Sequence, residues 1–195
     1  MKPLRESLLD DDLVEKTDKS IKDEVKAFLK ENYIGSIRIS RKPNADGKYE
    51  VSSFVDIGVK NRNITSLTNG MFIWTTVDGY FSCIYCIKLE SLEGAPKEVG
   101  EYFDCSGCNS ITSLKGAPKK VGDNFCCSRC NSLKSLEGAP KEVRKDFDCY
   151  GCKSLTSLEG APKEVGRDFY CHNCKVKFTK DDVKKVSNVK GEIKC

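Results

Sequence analysis

Twelve cysteines and a single histidine are the residues of this 195-residue chain whose types could do chemistry. Ten of the cysteines form five C-x-x-C pairs: Cys83/Cys86, Cys105/Cys108, Cys127/Cys130, Cys149/Cys152 and Cys171/Cys174. Two such pairs can enclose a zinc ion, one pair can act as a redox dithiol, and a single thiolate beside a histidine can be a nucleophile. Cys126 and Cys195 stand outside the pairs, and His172 lies inside the last one. Successive first cysteines are 22 residues apart every time. A fixed period over so much chain must be explained before any single pair is given a role.

The period extends far beyond the thiols. Leu89, Ile111, Leu133 and Leu155 fall one repeat apart, as do Leu92, Leu114, Leu136 and Leu158. A Gly-Ala-Pro triplet begins at Gly94, Gly116, Gly138 and Gly160, followed by Val99, Val121, Val143 and Val165. Phe81, Phe103, Phe125, Phe147 and Phe169 each stand two residues before a pair. One unit reads L-x-S-L-x-G-A-P-x-x-V-x-x-x-F-x-C-x-x-C-x-x. A unit this short cannot enclose a core alone, but stacked copies bury equivalent side chains in continuous ladders. The F-x-C step has period two, which puts Phe and Cys on one face of a short strand. Neighbouring strands would pair in parallel ~4.8 Å apart. Proline in the G-A-P slot removes a backbone donor, so the return side is expected to hold irregular or 3₁₀ turns rather than a regular helix.

The F-x-C-x-x-C stretch resembles the L-x-L-x-x-N/C heart of leucine-rich repeats, and the L-x-S-L…P wording is similar to short bacterial and phage repeat proteins. In that likeness Phe103 and Cys105 match the two strand leucines and Cys108 the Asn/Cys ladder position. The likeness spans roughly residues 55–174. It departs at two steps, four residues from Val99 to Phe103 and three from Cys108 to Ile111. It implies a solenoid that binds other proteins and allows a phage-encoded accessory protein acting on a host component.

Against that framework, zinc is the weaker reading of the thiols. Five pairs cannot be shared evenly among Cys₄ sites. The intervening residues (IY, SG, SR, YG, HN) show no common tight turn, and zinc leaves the repeating Leu, Pro, Val and Phe unexplained. A disulfide within an extended C-x-x-C would need to span ~10 Å, beyond the ~7 Å limit. The ten paired cysteines are therefore expected as buried rungs, inert away from positive charge, in a reducing cytoplasm. Strand alternation turns His172 away from Cys171, and Cys195 reads as a loose thiol. No cofactor or metal is expected. A zinc-stabilised structural protein is the alternative, and a cysteine-based enzyme the third reading.

The ends supply caps. Residues 17–54 read as a helix with Ile21, Val25, Phe28 and Leu29 on one face, then a hairpin turning at Asp46-Gly47. Val55, Ile57 and the stretch from Ile64 to Leu67 suggest an irregular first coil. Residues 175–195 read as a helical cap, with Thr179 as N-cap, Asp182 at N3, and Phe178 stapled to Val183. Residues 1–16 are a flexible or docking extension in which Leu4, Leu8, Leu9, Leu13 and Val14 lie among acids. The fold class expected is α+β: a leucine-rich-repeat-like solenoid of five to six coils between a helix–hairpin cap and a helical cap.

Charge narrows the partners. Residues 1–50 carry 11 bases and 11 acids, 51–174 carry 15 of each, and 175–195 carry 7 and 3. The body of the repeat is thus neutral, which argues against a phosphate-tracking groove and nucleic acid. Nothing approaches the ~18 apolar residues a membrane span needs. The slots that vary between repeats are then where contacts can be made. Tyr80, Tyr102, Tyr150 and Tyr170, with Arg129 and His172, fall in such slots and should point outward from the strands. Tyrosine and arginine on a rigid face are the types that anchor protein interfaces. The function expected is a non-enzymatic protein–protein interaction module.

Overall fold

The computed structural model describes the backbone of residues 11–195 and the side chains from Asp18 onward. Helix α1 (Asp11–Asn32) leads into β1 (Tyr33–Ile34), β2 (Arg38–Ile39) and β3 (Tyr49–Ser53). It begins six residues before the expected boundary at Thr17; residues 1–10 of the expected extension lie outside the described residues. Val25 and Leu29 are buried on its inner face, and Phe28 packs on Phe72 with ring centroids 5.7 Å apart. β2 and β3 form the expected antiparallel hairpin, Ile39 opposite Val51. The Asn44 side chain accepts from the Asp46 and Lys48 N–H groups, which tightens the turn at Gly47.

From here each coil contributes one short strand to each of two sheets. The cysteine-side sheet contains β4 (Ile57–Val59), β6 (Phe81–Ser82), β8 (Phe103–Asp104), β10 (Phe125–Cys126), β12 (Phe147–Asp148), β14 (Phe169–Tyr170) and β16 (Ile193–Lys194), all parallel, with β1 antiparallel at one edge. The valine-side sheet contains β3 and β5 (Phe72–Val77), β7 (Glu98–Val99), β9 (Lys120–Val121), β11 (Glu142–Val143), β13 (Glu164–Val165) and β15 (Asn188–Val189), with β2 at its edge. The molecule is a β-solenoid of seven coils, built of short, mostly parallel strands with an N-terminal helix and a short C-terminal helix.

This corrects the expectation for the return side. It holds a second parallel ladder, not irregular or 3₁₀ turns alone, because Pro96 and its equivalents sit just before the strand. There the missing N–H costs no ladder bond. The turn feeding it is built by the repeat: the Ala95 N–H donates to the Leu92 carbonyl at 2.9 Å, with Gly94 at φ 86°. The next turn makes the glycine obligatory, since a Cβ on Gly116 would lie 2.3 Å from the Glu93 backbone nitrogen of the preceding coil.

The first coil is more regular than expected, and the coils run on past residue 174. Ile57 pairs with Phe81, so the first coil is a regular rung, although Val55 is exposed. At the other end, helix α2 (Lys180–Val186) has the expected capping box between Thr179 and Asp182, with Phe178 and Val183 buried. Residues 175–195 are nevertheless more than a helical cap. The helix replaces a G-A-P turn, after which β15 and β16 add a strand to each sheet, Val165 opposite Val189 and Phe169 opposite Ile193.

The core lies between the sheets. Phe81, Phe103, Phe125, Phe147 and Phe169 are fully buried, with successive ring centroids 5.1 to 5.8 Å apart. Each such contact contributes about 0.5–1.5 kcal/mol beyond area burial. Trp74, Tyr49 and Tyr33 close one end under α1.

Candidate interaction face and the thiol ladder

The paired cysteines point inward, nine of the ten buried and Cys174 half-buried. The second cysteine of a pair reaches back one coil. The Cys108 thiol donates to the Cys83 carbonyl at 3.0 Å, and Cys130, Cys152 and Cys174 donate to Cys105, Cys127 and Cys149 at 3.2 Å. These thiols thus fill the core and donate to backbone carbonyls of the preceding coil, two of which, Cys83 and Cys105, also accept a turn N–H. All twelve cysteines are free.

Two premises of the sequence reading need correction. The C-x-x-C segments do share a tight turn: the residue before each second cysteine has positive φ, at Tyr85 (57°), Gly107 (72°), Arg129 (55°), Gly151 (72°) and Asn173 (61°). The Cys86 N–H accordingly lies 3.3 Å from the Cys83 carbonyl, so the segment is not extended over ~10 Å. What separates these pairs from a zinc site is direction. The second thiols of the last four pairs, Cys108, Cys130, Cys152 and Cys174, each face a carbonyl in the preceding coil, and among the described residues no three of His, Cys, Asp and Glu converge to hold a metal.

Cys195 is not loose either. Tyr170 pairs with Lys194, so Cys195 continues the column of first cysteines, and its Sγ lies 3.2 Å from that of Cys171. The spacing of Ile193 to Cys195 repeats the F-x-C step with isoleucine for phenylalanine, a signal in the sequence that the helical reading of this segment concealed. Cys126 sits between Asp104 and Asp148 in the outer column. Burial, then these carboxylates with Asp146 and Asp123, pushes its thiol up to about 12. Cys174 differs in its electrostatics. Hydrogen bonding with the Cys149 thiol, and then the N–H groups of Cys152 and Gly151, lowers its thiol against the opposing effect of burial.

The outer face of the cysteine-side sheet divides into framework and free positions. In the column before Phe, the Asn124, Asp146 and Asp168 side chains accept from the Asp146, Asp168 and Glu192 N–H groups at 3.0, 3.0 and 2.8 Å. Asp104 and Asp148 accept from Ser106 and Tyr150 N–H at 2.8 Å each. These slots vary in sequence yet serve the backbone, so variation alone does not identify freedom. Burial raises the Asp148 carboxyl, against the Tyr150 N–H bond.

The six residues singled out from sequence fall into two groups. Tyr80 and Tyr102 stack with centroids 4.6 Å apart and an 11° interplanar angle. Farther along, the Arg129 guanidinium lies 5.6 Å over the Tyr150 ring, Tyr150 is 4.6 Å from the His172 ring, and His172 is 6.5 Å from Tyr170. His172 therefore packs between tyrosines rather than against a thiol. Ser106, Ser128 and Asn124 occupy the outer columns between the two groups. Sequence reasoning missed Lys194, whose ammonium lies 4.8 Å over Tyr170, and Asn173, which donates to the Tyr150 hydroxyl at 3.3 Å. Hydrogen bonds from Asn173 and Arg129 lower the Tyr150 hydroxyl.

No protein-family model, curated protein or solved structure matches this chain. A concavity of about 610 Å³ lies over the valine-side sheet, lined by Glu98, Gly100, Lys120, Gly122, Glu142 and Arg144 among others. Its charges alternate in sign, and Lys120 is already paired with Glu98 at 2.9 Å. Among the described residues no helix is long and apolar enough to cross a membrane.

Proposed function

We propose that this chain is a non-enzymatic protein-interaction module whose contact surface is the outer face of the cysteine-side sheet. Its centre is the run Arg129–Tyr150–His172–Tyr170–Lys194, and the Tyr80/Tyr102 stack is a second contact point. The observation that carries this reading is that run itself: consecutive aromatic and cationic side chains lie in mutual contact, partly exposed, on a backbone clamped at every coil. Side chains held in place before binding lose little entropy on complex formation, and tyrosine and arginine dominate the energetics of such surfaces.

The likeness to leucine-rich repeats supports the same role, since they too present a strand face. It concerns the cysteine-side sheet alone, because the valine-side ladder has no place in the L-x-L-x-x-N/C wording. Twelve free thiols suit a reducing compartment such as the cytoplasm.

The test is capture of partners from native cells by the wild-type chain and by a variant with Tyr150, Tyr170 and Arg129 replaced by alanine. The variant should unfold at the wild-type temperature and lose specific partners identified by mass spectrometry. Undiminished capture by a folded variant would refute the assignment of this face.

A further inference from the structure

The column of first cysteines ends differently from the way it runs. Within it the Cys105 thiol donates to the Cys126 carbonyl at 3.4 Å, and the Cys149 thiol to the Tyr170 carbonyl at 3.2 Å. At its last step Cys171 meets a second sulfur instead, Cys195 at 3.2 Å. The two residues follow the paired Tyr170 and Lys194 on adjacent parallel strands, where Cα atoms ~4.8 Å apart fall inside the range that a disulfide tolerates. Access differs as well. Cys83, Cys105, Cys127 and Cys149 are fully enclosed, whereas Cys195 is partly exposed beside the 1% exposed Cys171.

We propose that Cys171 and Cys195 form a reversible disulfide, with Cys195 as the thiol that meets the oxidant and Cys171 as the one that closes the bond. A small-molecule disulfide such as oxidised glutathione supplies the oxidising equivalents. The Cys195 thiolate attacks one of its sulfurs, the reagent's S–S bond breaks, and one thiolate leaves. Cys171, once deprotonated, attacks the Cys195 sulfur and expels the second thiolate. The chain loses two hydrogens as protons, and the reagent is reduced to two thiols. Burial raises the Cys171 thiol, so the closing step speeds up as pH rises. The bond would staple β16 to β14 and hold Lys194 against Tyr170. The proposal stands independently of the binding role of that face.

The test treats the full chain with oxidised glutathione, blocks remaining thiols, and maps linked peptides by mass spectrometry without reduction. The expected product joins Cys171 to Cys195, forms equally in a Cys174→Ser variant, and raises the unfolding midpoint by several degrees until dithiothreitol is added. Cys195→Ser should abolish both the link and the shift while matching the reduced wild-type midpoint. A lasting glutathione adduct on Cys195, a Cys171–Cys174 bond, scrambled links among the ladder thiols, or thiols that all stay free would each overturn the proposal.

Discussion

The Cys130 thiol donates to the Cys105 carbonyl at 3.2 Å, from one coil to the coil before it. The first cysteine of one pair and the second of the next are thereby linked through the core. A thiol suits this position because it is small enough for the spacing of the coils, mostly apolar, and still a weak donor.

Cys130→Ala should destabilise the chain by about 1–3 kcal/mol, since it leaves a small cavity and removes one of the two donors to the buried Cys105 carbonyl, the other being the Cys108 N–H at 3.3 Å. Cys130→Ser restores a donor of similar size and should recover part of that loss. Urea unfolding of the two variants checks the order. A serine variant weaker than the alanine variant would assign the thiol a purely apolar role.

Gly116 adopts φ 86° with the Glu93 backbone 2.3 Å from where a Cβ would stand. Gly116→Ala should therefore cost about 2 kcal/mol or more, from backbone strain and displacement of the neighbouring coil. Gly151, whose added Cβ would come no closer than 3.3 Å to the Arg129 side chain, should tolerate Asn with a much smaller loss. Tyr85, Arg129 and Asn173 already occupy equivalent turns with positive φ. Thermal unfolding of the two variants gives the comparison.

Thr179→Ala removes the N-cap of α2 and should cost about 1 kcal/mol. The same cap holds the Asp182 carboxyl below its ordinary 3.8, chiefly through the Thr179 hydroxyl. A lowered carboxyl contributes stability that is full above the unfolded value and lost as pH falls through the folded one. Wild type should thus lose part of its advantage over the variant below about pH 4. A difference that is constant from neutral to acid pH would contradict the capping role.

Alkylation should separate Cys174 from Cys126. Hydrogen bonds lower the Cys174 thiol, so its reaction with iodoacetamide should reach its plateau at a lower pH than that of an ordinary cysteine. Cys126, pushed up to about 12, should stay nearly unreactive across the same range. Site-resolved mass spectrometry after timed quenching measures both.

Much of this architecture is written in the chain itself. The period of 22 residues dictates stacked coils, because Phe, Cys, Leu and Val recurring together can be buried only against copies of themselves. The F-x-C step, the capping box at Thr179 and the hairpin at Gly47 are local patterns, and each is found where its pattern lies. The second sheet was not legible, since Glu98-Val99 and its equivalents are too short for alternation to mark a strand. They become one only when Val99 meets Val77 and Val121 in neighbouring coils. The inward aim of the first thiol of each pair could be read from period two, but the second is turned inward by the positive-φ residue before it, and its carbonyl partner lies about 25 residues away in sequence and needed the stacked coils. The same holds for the outer face. Residue types announced Tyr150, Tyr170 and Arg129, whereas only tertiary structure showed that Asp146 and Asp168 serve the backbone and that Lys194 and Cys195 join the last rung. Local chemistry sets what one coil can form; the contacts between coils, each a repeat apart along the chain, decide what its side chains are left free to do.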